Sequence, residues 1–357
     1  MSDTLQDRVL DALKTVQEPE LHKDLVTLGM IKDLVVEDGN VSFTVELTTP
    51  ACPLKNRIES ESRQAVSKVD GVKQVNIKMG SRVRSDGKQR DQFELPIKNI
   101  VAIASGKGGV GKSTVAVNVA VSLAQTGAKV GLLDADIYGP NIPTMMGVEE
   151  LPAQQGKKLT PAEAYGVKMI SIGFMVKPDQ PLIWRGPLLH SAIQQFLQDV
   201  EWGELDYLVV DMPPGTGDVQ LSLAQHVPLS GGVIVTLPQA VSLEDARRGL
   251  EMFRKLNVTL LGVIENMSFL ELPDGQRMEV FGSGGGKRLA KAAQVEFMGE
   301  IPMDPSVRIG GDNGVPIVVS KPDSAPARML RSVAEKIAAS LSVAAMQSHG
   351  VTINLSE

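Results

Sequence analysis

Short apolar runs alternate with amphipathic helical patterns over most of the chain, from Ile100 onward. This alternation predicts a mainly parallel sheet with helices on both faces, because parallel neighbours need a crossover connection. The predicted strands cover 100–105, 129–134, 167–174, 206–211, 232–238 and 259–266. Helical spacing of apolar residues predicts helices over 112–126, 188–199, 242–256, 284–293 and 324–343. The fold class predicted for this part of the chain is therefore α/β.

The first 79 residues differ from the rest and predict a small α+β domain. A helical pattern opens the chain, and Asp38-Gly39-Asn40 then joins two apolar runs in a hairpin pattern. A helix opened by Pro53 and a strand over 72–79 complete the predicted domain. The predicted boundaries are 1–79 for this domain, 80–98 for a charged linker, 99–345 for the α/β domain and 346–357 for a tail.

Composition and charge exclude several classes of protein. The 357 residues include 36 Lys and Arg against 42 Asp and Glu, so no global basic field indicates a nucleic-acid partner. No apolar run approaches the roughly 20 residues that span a bilayer, and the N-terminus lacks the pattern of a signal peptide. We therefore expect a cytoplasmic chain with no membrane partner. The single cysteine, Cys52, excludes an intrachain disulfide and an all-cysteine metal site within one chain.

The segment GKGGVGKST, residues 106–114, follows the first predicted strand of the α/β domain. Its glycines, Lys112 and Ser113 fit the phosphate-loop pattern G-x-x-x-x-G-K-[ST], with a glycine-rich turn that binds nothing as the alternative. Between a strand and a helix, backbone N–H groups can surround phosphate oxygens. Lys112 is predicted to reach the β and γ phosphates of ATP and Ser113 to bind Mg²⁺. The predicted ATP-binding residues of the loop are Gly106, Lys107, Gly108, Gly109, Val110, Gly111, Lys112, Ser113 and Thr114.

Acidic residues stand at the ends of two other predicted strands. Asp134 closes one strand, with Asp136 two residues later, and Asp211 ends the strand over 206–211. Ligands of open α/β sheets lie at the carboxyl ends of strands, so all three acids are predicted on the phosphate side. Asp211, as a Walker B aspartate, and Asp134 are predicted to hold Mg²⁺ with Ser113, and Asp136 to orient the attacking water. Capping of a helix or turn is the alternative role for Asp134 or Asp136.

The loop GKGGVGKST resembles the deviant phosphate loop of the MinD/ParA/nitrogenase iron protein class. In that class the extra lysine, here Lys107, reaches across a dimer to the nucleotide of the partner. The resemblance therefore implies a homodimer bridged by ATP through the phosphate-loop face, with Lys107, Lys112 and Asp136 as the catalytic residues. A cation delivered in trans can neutralise transition-state charge, as an arginine finger does. A solvated loop lysine is the alternative for Lys107.

Further segments narrow the resemblance to the Mrp/ApbC family of ATPases, which are described as iron–sulfur cluster carriers. TTPACPLK (48–55) is similar to the MIP18-type domain (domain of unknown function 59) that is often fused to them. The resemblance implies that Asn266 reads the adenine and that 301–304 closes over the base, with a strand-end turn as the alternative for Asn266. The matching segments are LLDADIYGPNIPTMMG (132–147), WRGP (184–187), DMPPGTGD (211–218), TLPQAVSLEDARRG (236–249), ENMS (265–268) and FGSGGG (281–286).

The chain departs from that family where many relatives carry a C-x-x-C pair, because residues 270–273 read Leu-Glu-Leu-Pro. Without this pair, the chain resembles the plastid and cyanobacterial branch of the family. Cys52 remains, and the segment ACPLK predicts it at the N-cap before Pro53, where the helix dipole favours a thiolate. Clusters usually need four cysteine ligands, so Cys52 is predicted to be one ligand, or a transfer thiol, in a dimer. A half-buried structural cysteine is the alternative.

Other polar residues receive less specific predictions. The four histidines show no metal-ligand spacing, and Glu18, Glu20, His22 and Asp24 are predicted to form a solvated loop.

These features together predict an ATP-hydrolysing, Mg²⁺-dependent dimer that binds iron–sulfur clusters and transfers them to client apoproteins. An ATP-dependent assembly chaperone or scaffold without its own cluster is the main alternative. A MinD- or ParA-like positioning ATPase is less favoured. The end of the chain lacks a basic amphipathic helix for membranes, and the overall charge does not indicate DNA binding.

Overall fold

The structure is a computed structural model that describes residues 4–87, 95–154, 158–175 and 186–348. Part of the predicted linker, part of the WRGP segment and most of the predicted tail therefore lie outside the described residues. The chain divides into two compact units, with boundaries after Gly87 and after Ile337. Residues from Ala338 group with the first unit, and the predicted boundary at 345 falls inside the last helix.

The first unit has the predicted α+β arrangement. It contains α1 (Leu5–Leu13), β1 (Gln17–Glu18), β2 (Lys23–Asp24), β3 (Ile31–Glu37), β4 (Asn40–Leu47), α2 (Lys55–Ser67) and β5 (Gln74–Ser81). Strands β3 and β4 pair antiparallel, whereas β4 and β5 pair parallel. The predicted alternation along β4 is confirmed, because Val41, Phe43, Val45 and Leu47 are all buried in the core of this unit.

The second unit is built on a sheet of eight strands. The sheet strands are β6 (Ile97–Ser105), β7 (Val130–Asp134), β8 (Ala162–Ala164), β9 (Val167–Ser171), β10 (Leu205–Asp211), β11 (Gly231–Thr236), β12 (Leu260–Glu265) and β15 (Phe297–Glu300). Strands β13 (Leu270–Glu271) and β14 (Arg277–Met278) form a separate hairpin between β12 and β15. The helices are α3 (Lys112–Gln125), α4 (Ile142–Met146), α5 (Gly186–Gln198), α6 (Asp218–His226), α7 (Ala240–Lys255), α8 (Gly285–Ala293), α9 (Pro305–Asp312), α10 (Ile317–Ser320) and α11 (Ala325–Ser348). Of α11, the residues up to Ile337 belong to this unit.

The strand order is β15-β12-β11-β6-β10-β7-β9-β8, and every pairing is parallel except that of β8 with β9. The α/β class is confirmed, and all six predicted strands are present. The predicted strand over 167–174 ends early, at Ser171, because the Ser171 hydroxyl accepts a hydrogen bond from the Gly173 backbone at 2.9 Å and starts a turn.

The centre of the sheet brings the predicted site segments to one edge. Strand β10 lies between β6 and β7, with Asp211 in register with Asp134 on one side and Ile103 on the other. All three strands are almost completely buried, as expected for central parallel strands covered by helices. The phosphate loop after β6 therefore meets the acids that end β7 and β10.

The five predicted helices of this unit are all present, each within a few residues of its predicted bounds except at the end of α11. Within the described ranges, none of the helices combines the length and the hydrophobicity needed to cross a membrane.

Candidate nucleotide-binding site

The phosphate loop between β6 and α3 requires glycine at its end. Gly111 is the N-cap of α3 and has a left-handed backbone, with φ of 82°. A Cβ at this position would lie 2.2 Å from Nδ2 of Asn266, so no larger residue fits without displacing that side chain. The Asn266 amide also donates a hydrogen bond to the carbonyl of Val110 at 2.8 Å. Asn266 thus holds the C-terminal half of the loop in place.

Lys112 extends from the first turn of α3 into a group of buried carboxylates. Its Nζ lies 2.7 Å from Oδ1 of Asp211 and 3.3 Å from Oδ2 of Asp136, and the side chain is 5% exposed. The Ser113 hydroxyl donates to the other oxygen of Asp211 at 2.6 Å. The structure thus brings together the predicted phosphate-binding lysine, the predicted magnesium-binding serine and the predicted Walker B aspartate.

Asp134 lies deeper in the same group and is fully buried. Its carboxyl oxygens accept hydrogen bonds from the Ser171 hydroxyl at 2.8 Å and from the backbones of Asp136 at 3.1 Å and Ile142 at 3.3 Å. Burial, followed by the negative charge of Asp211, raises the pKa of Asp134 to about 8. The raised pKa favours the protonated form of Asp134, whose hydrogen bonds fix the backbone that positions Asp136. Its role as a magnesium ligand stays a prediction.

Charge in this group favours a bound cation. Burial alone would lower the pKa of the Lys112 ammonium, but the nearby charges of Asp211 and Asp136 raise it overall. Two carboxylates thus lie within 3.3 Å of the Lys112 ammonium. The hydroxyl and carboxylate oxygens of Ser113 and Asp211 are hard donors of the kind that Mg²⁺ prefers.

No group of three or more histidine, cysteine, aspartate or glutamate side chains in the described ranges is arranged to hold a metal by itself. The donors at Ser113 and Asp211 nevertheless fit Mg²⁺, since this ion usually binds through one or two protein groups together with water and substrate phosphates.

Lys107 stands apart from this network. Its side chain is partly exposed, and within the described part of the chain its ammonium has no hydrogen-bond or ion-pair partner. The neighbouring backbone is fixed, because the Ser105 hydroxyl donates to the Lys107 carbonyl at 2.9 Å. Its predicted contact with a partner's nucleotide stays a prediction.

A cavity of about 540 Å³ opens beside the loop. It is lined by Thr114 of the loop, Asn266 after β12 and residues 301–304, together with apolar residues of the second unit. The structure thus brings together Asn266 and the segment that were predicted to surround the base. The cavity is mostly apolar, as expected for a site that receives an aromatic ring. The recognition of adenine by Asn266 stays a prediction.

Sequence reasoning missed Glu265, which is fully buried at the end of β12. Its carboxylate accepts hydrogen bonds from the Ser268 hydroxyl and the Gly286 backbone, both at 2.5 Å, and from the Gly284 backbone at 3.3 Å. It therefore binds the start of α8, where the helix dipole favours negative charge. The sequence contains both partners, a glutamate in ENMS and a glycine run in FGSGGG. The two segments are far apart along the chain, so no local pattern predicts that they are hydrogen-bonded.

Two predictions about the first unit are wrong. Cys52 is not an N-cap, because α2 begins at Lys55 with Leu54 as its N-cap, and the Lys55 backbone donates to the Cys52 carbonyl at 3.4 Å. Cys52 lies half-buried against the core of this unit, two residues before the N-cap, so the helix-dipole argument for a thiolate is lost. Glu18 is not solvated either, since it is 4% exposed and accepts hydrogen bonds from the backbones of Glu20 and Leu21. Burial raises the pKa of its carboxyl.

The Leu-Glu-Leu-Pro segment, residues 270–273, begins in a short hairpin. Leu270 and Glu271 pair with Met278 and Arg277 in the short β13–β14 hairpin. The guanidinium of Arg277 lies 4.0 Å from the ring centre of Phe269, in a cation–π contact.

The parallel sheet, the phosphate loop and the strand-end aspartates around its lysine define a P-loop NTPase. A family model described as NUBPL iron-transfer P-loop NTPase matches residues 96–338, and one described as iron-sulfur cluster assembly protein matches residues 6–79. The chain belongs to the NUBPL iron-transfer P-loop NTPase family. The predicted family resemblance is confirmed for both parts of the chain.

Relatives extend over nearly the whole chain. An "Iron-sulfur cluster carrier protein" of Synechocystis is 54% identical over 349 residues, which cover 95% of this chain and 99% of the relative. A protein of Deinococcus radiodurans with the same name is 51% identical over 95% of this chain and 96% of the relative.

Solved structures agree with the fold. A nucleotide-binding protein of Archaeoglobus fulgidus in complex with ADP is 39% identical, with a TM-score of 0.55 over 61% of this chain and 87% of that protein. The cell division ATPase MinD of Pyrococcus furiosus is 22% identical, with a TM-score of 0.53 over 67% of this chain and 98% of that protein, a likeness of fold alone.

Proposed function

We propose that this chain is a Mg²⁺-dependent ATPase that acts as a homodimer and carries iron–sulfur clusters to client apoproteins. The observation that carries the proposal is the buried group of Lys112, Ser113 and Asp211 beside a base-sized cavity. The names of the relatives from Synechocystis and Deinococcus radiodurans support the carrier role.

The residues of the site have distinct roles in this proposal. Lys112 would exchange its carboxylate partners for the phosphates of ATP, and the loop backbone would surround the same phosphates. Ser113 and Asp211 would hold Mg²⁺, which supplies positive charge next to the phosphates when bound. Asp136, held by the hydrogen bond from its backbone to Asp134, would orient the attacking water. Lys107 would bring a further positive charge to the nucleotide of the partner subunit.

The cluster is cargo in this proposal, and a single chain cannot complete its ligand set with cysteine. Cys52 would contribute one thiolate from each subunit, and a client protein or small thiols would supply the others. The Leu-Glu-Leu-Pro segment in the β13–β14 hairpin favours a second candidate, an ATP-dependent scaffold with no cluster of its own.

Lys112→Ala tests the ATPase. We expect hydrolysis to be lost and ATP binding to weaken, because the substitution removes a charge-assisted contact to the phosphates. Phosphate release and binding of a fluorescent ATP analogue measure the two effects. Lys129→Ala, which removes an exposed lysine paired with Glu204, is the matched control and should keep wild-type activity. Wild-type turnover by folded Lys112→Ala would reject the assigned site.

Anaerobic reconstitution with iron and sulfide tests the carrier. We expect the wild-type protein to bind iron and to show cluster absorbance, and Cys52→Ala to lose both, because no other thiolate is present in the chain. Iron counting and visible spectra measure the outcome, with Cys52→Ser as a variant of similar size. Wild-type protein that hydrolyses ATP but binds no cluster would favour the scaffold instead.

A further inference from the structure

Helices α7 and α8 carry a concentration of basic side chains that the nucleotide site does not use. Together they bear seven basic and three acidic residues, whereas the chain as a whole has 36 basic and 42 acidic residues. We call their exposed surface the α7–α8 face. Its basic residues are Arg247, Arg248, Arg254, Lys255, Lys287, Arg288 and Lys291, all exposed.

The two helices lie side by side and run in the same direction. Near their N-terminal ends, a Cβ on Gly285 would lie 2.6 Å from a methyl group of Leu243. Near their C-terminal ends, the Arg254 guanidinium donates a hydrogen bond to the carbonyl of Ala293. The basic side chains of both helices therefore belong to one continuous surface.

Much of this positive charge is not neutralised within the chain. Arg248 pairs with Asp245 at 2.9 Å, and Arg254 pairs with Glu251 at 2.6 Å. Within the part of the chain that the structure describes, the other five basic residues of the face form no ion pair, and four of them, Arg247, Lys255, Lys287 and Lys291, also make no side-chain hydrogen bond. An excess of cations on one face of an acidic chain attracts a negatively charged partner.

We propose that the α7–α8 face docks the acidic surface of a client protein, an inference that rests on the proposed carrier function. Asp245 and Glu251 lie among the arginines, where they would repel a phosphate backbone but suit the mixed charges at the edge of a protein interface. Val241, in the first turn of α7, is 68% exposed and offers an apolar contact. The one aromatic residue of the two helices, Phe253, is buried, so neither helix presents a ring for stacking on bases.

Both helices contact the nucleotide site through their N-terminal halves, which connects the face to the ATPase. The α7 backbone packs so closely on the phosphate loop that a Cβ on Gly106 would lie 2.1 Å from the carbonyl carbon of Asp245. The start of α8 is bound by Glu265, the residue before Asn266, and Asn266 is hydrogen-bonded to the loop carbonyl of Val110. A rearrangement of the loop would therefore reach the face through direct contacts.

The test measures binding of a fluorescein-labelled peptide of glutamate and leucine to the full chain by fluorescence anisotropy at low salt. The variant Arg247→Ala/Lys255→Ala/Lys287→Ala/Lys291→Ala should bind about ten-fold more weakly, since four exposed charges each contribute modestly to binding. A second variant with glutamine at the same positions should lose the same affinity. The matched control is the variant Lys32→Ala/Lys55→Ala/Lys68→Ala/Lys73→Ala. It removes four exposed lysines of the first unit and should bind the peptide like wild type.

Three results would overturn the proposal. Wild-type protein that does not bind the glutamate peptide is one, and equal losses in the face variants and the control variant are another. Tighter, face-dependent binding of duplex DNA would assign the face to nucleic acid. The assay involves neither hydrolysis nor a cluster, so its failure is separate from a failure of the Lys112 or Cys52 tests of the proposed function.

Discussion

Asp134 has no exposed surface, and its carboxyl group links the stability of the site to pH. Burial and the charge of Asp211 raise its pKa from the ordinary 3.8 to about 8. The folded protein therefore holds this proton more tightly than the unfolded chain does. The stability that this difference contributes is fully present below about pH 4 and is lost as the pH rises towards about 8.

For Asp134→Asn we expect a smaller loss of stability with rising pH than for wild type, because the asparagine does not titrate. Between about pH 4 and pH 8, the difference in the free energy of unfolding between wild type and Asp134→Asn should change by up to about 1.4 kcal/mol per pH unit. Urea unfolding of both nucleotide-free proteins at several pH values measures it. Asp70→Asn, at an exposed aspartate, is the control and should follow wild type. Parallel pH profiles for wild type and Asp134→Asn would contradict the raised pKa.

Residues whose neighbours follow from chain connectivity were predictable. Lys112 must begin the helix after the loop, and Asp211 must end a central parallel strand, so their meeting follows from motif and topology alone. The burial of Glu265 was not predictable, because its carboxylate binds the start of α8, 21 residues further along the chain. Glu18 was not predictable either, since a charged residue in a polar segment is expected at the surface, whereas here it is buried and accepts hydrogen bonds from the backbones of Glu20 and Leu21. For Cys52, the sequence predicts a helix that begins at Pro53, but the chain makes a turn before α2 begins at Lys55.

Among the elements, α8 depends most on glycine. A Cβ on Gly285, its first residue, would lie 2.4 Å from the carbonyl oxygen of Pro238, a backbone atom that cannot rotate away. The next residue, Gly286, donates its backbone N–H to Glu265. A Cβ on Gly286 would lie 2.9 Å from the Cβ of Glu265, so glycine at 285 and 286 lets the helix approach both neighbours this closely.

Gly285→Ala should therefore lower the free energy of unfolding by about 1–3 kcal/mol, as expected for overpacking against backbone. Thermal and urea unfolding measure the loss. Gly217→Ala is the comparison, since a Cβ there meets nothing within 4 Å and φ is −79°. An equal effect of the two substitutions would show that the close approach of α8 to Pro238 is not what requires glycine.

Sequence patterns missed helices α6 and α9, of nine and eight residues, and several shorter elements. Strands β8 and β15 have three and four residues and lie at the two edges of the sheet, where no long apolar run is needed. Helices α4 and α10, of five and four residues, are too short for helical periodicity to show. The fold was predictable from the six longer strands, because burial on both faces makes these strands continuously apolar.

At the scale of the whole molecule, the contacts within one chain do not explain the role of Lys107. Its ammonium lacks a partner in the described ranges, whereas Lys112, five positions later, is held by two aspartates. A dimer in which each subunit supplies Lys107 to the other would give this charge a binding site. Such a dimer would also make hydrolysis depend on protein concentration, because separated subunits would lack the second lysine.

Mixing two inactive variants tests this arrangement. Lys107→Ala should bind ATP through Lys112 but hydrolyse it poorly, and Lys112→Ala should be inactive. In a heterodimer of the two, one nucleotide site keeps its own Lys112 and receives an intact Lys107 from the partner, so part of the activity should return. If Lys107 acted on its own nucleotide, each site would lack one lysine and mixing would restore nothing. Phosphate release from mixtures, with heterodimers verified by two affinity tags, decides between these outcomes, and the restored activity per subunit should fall on dilution.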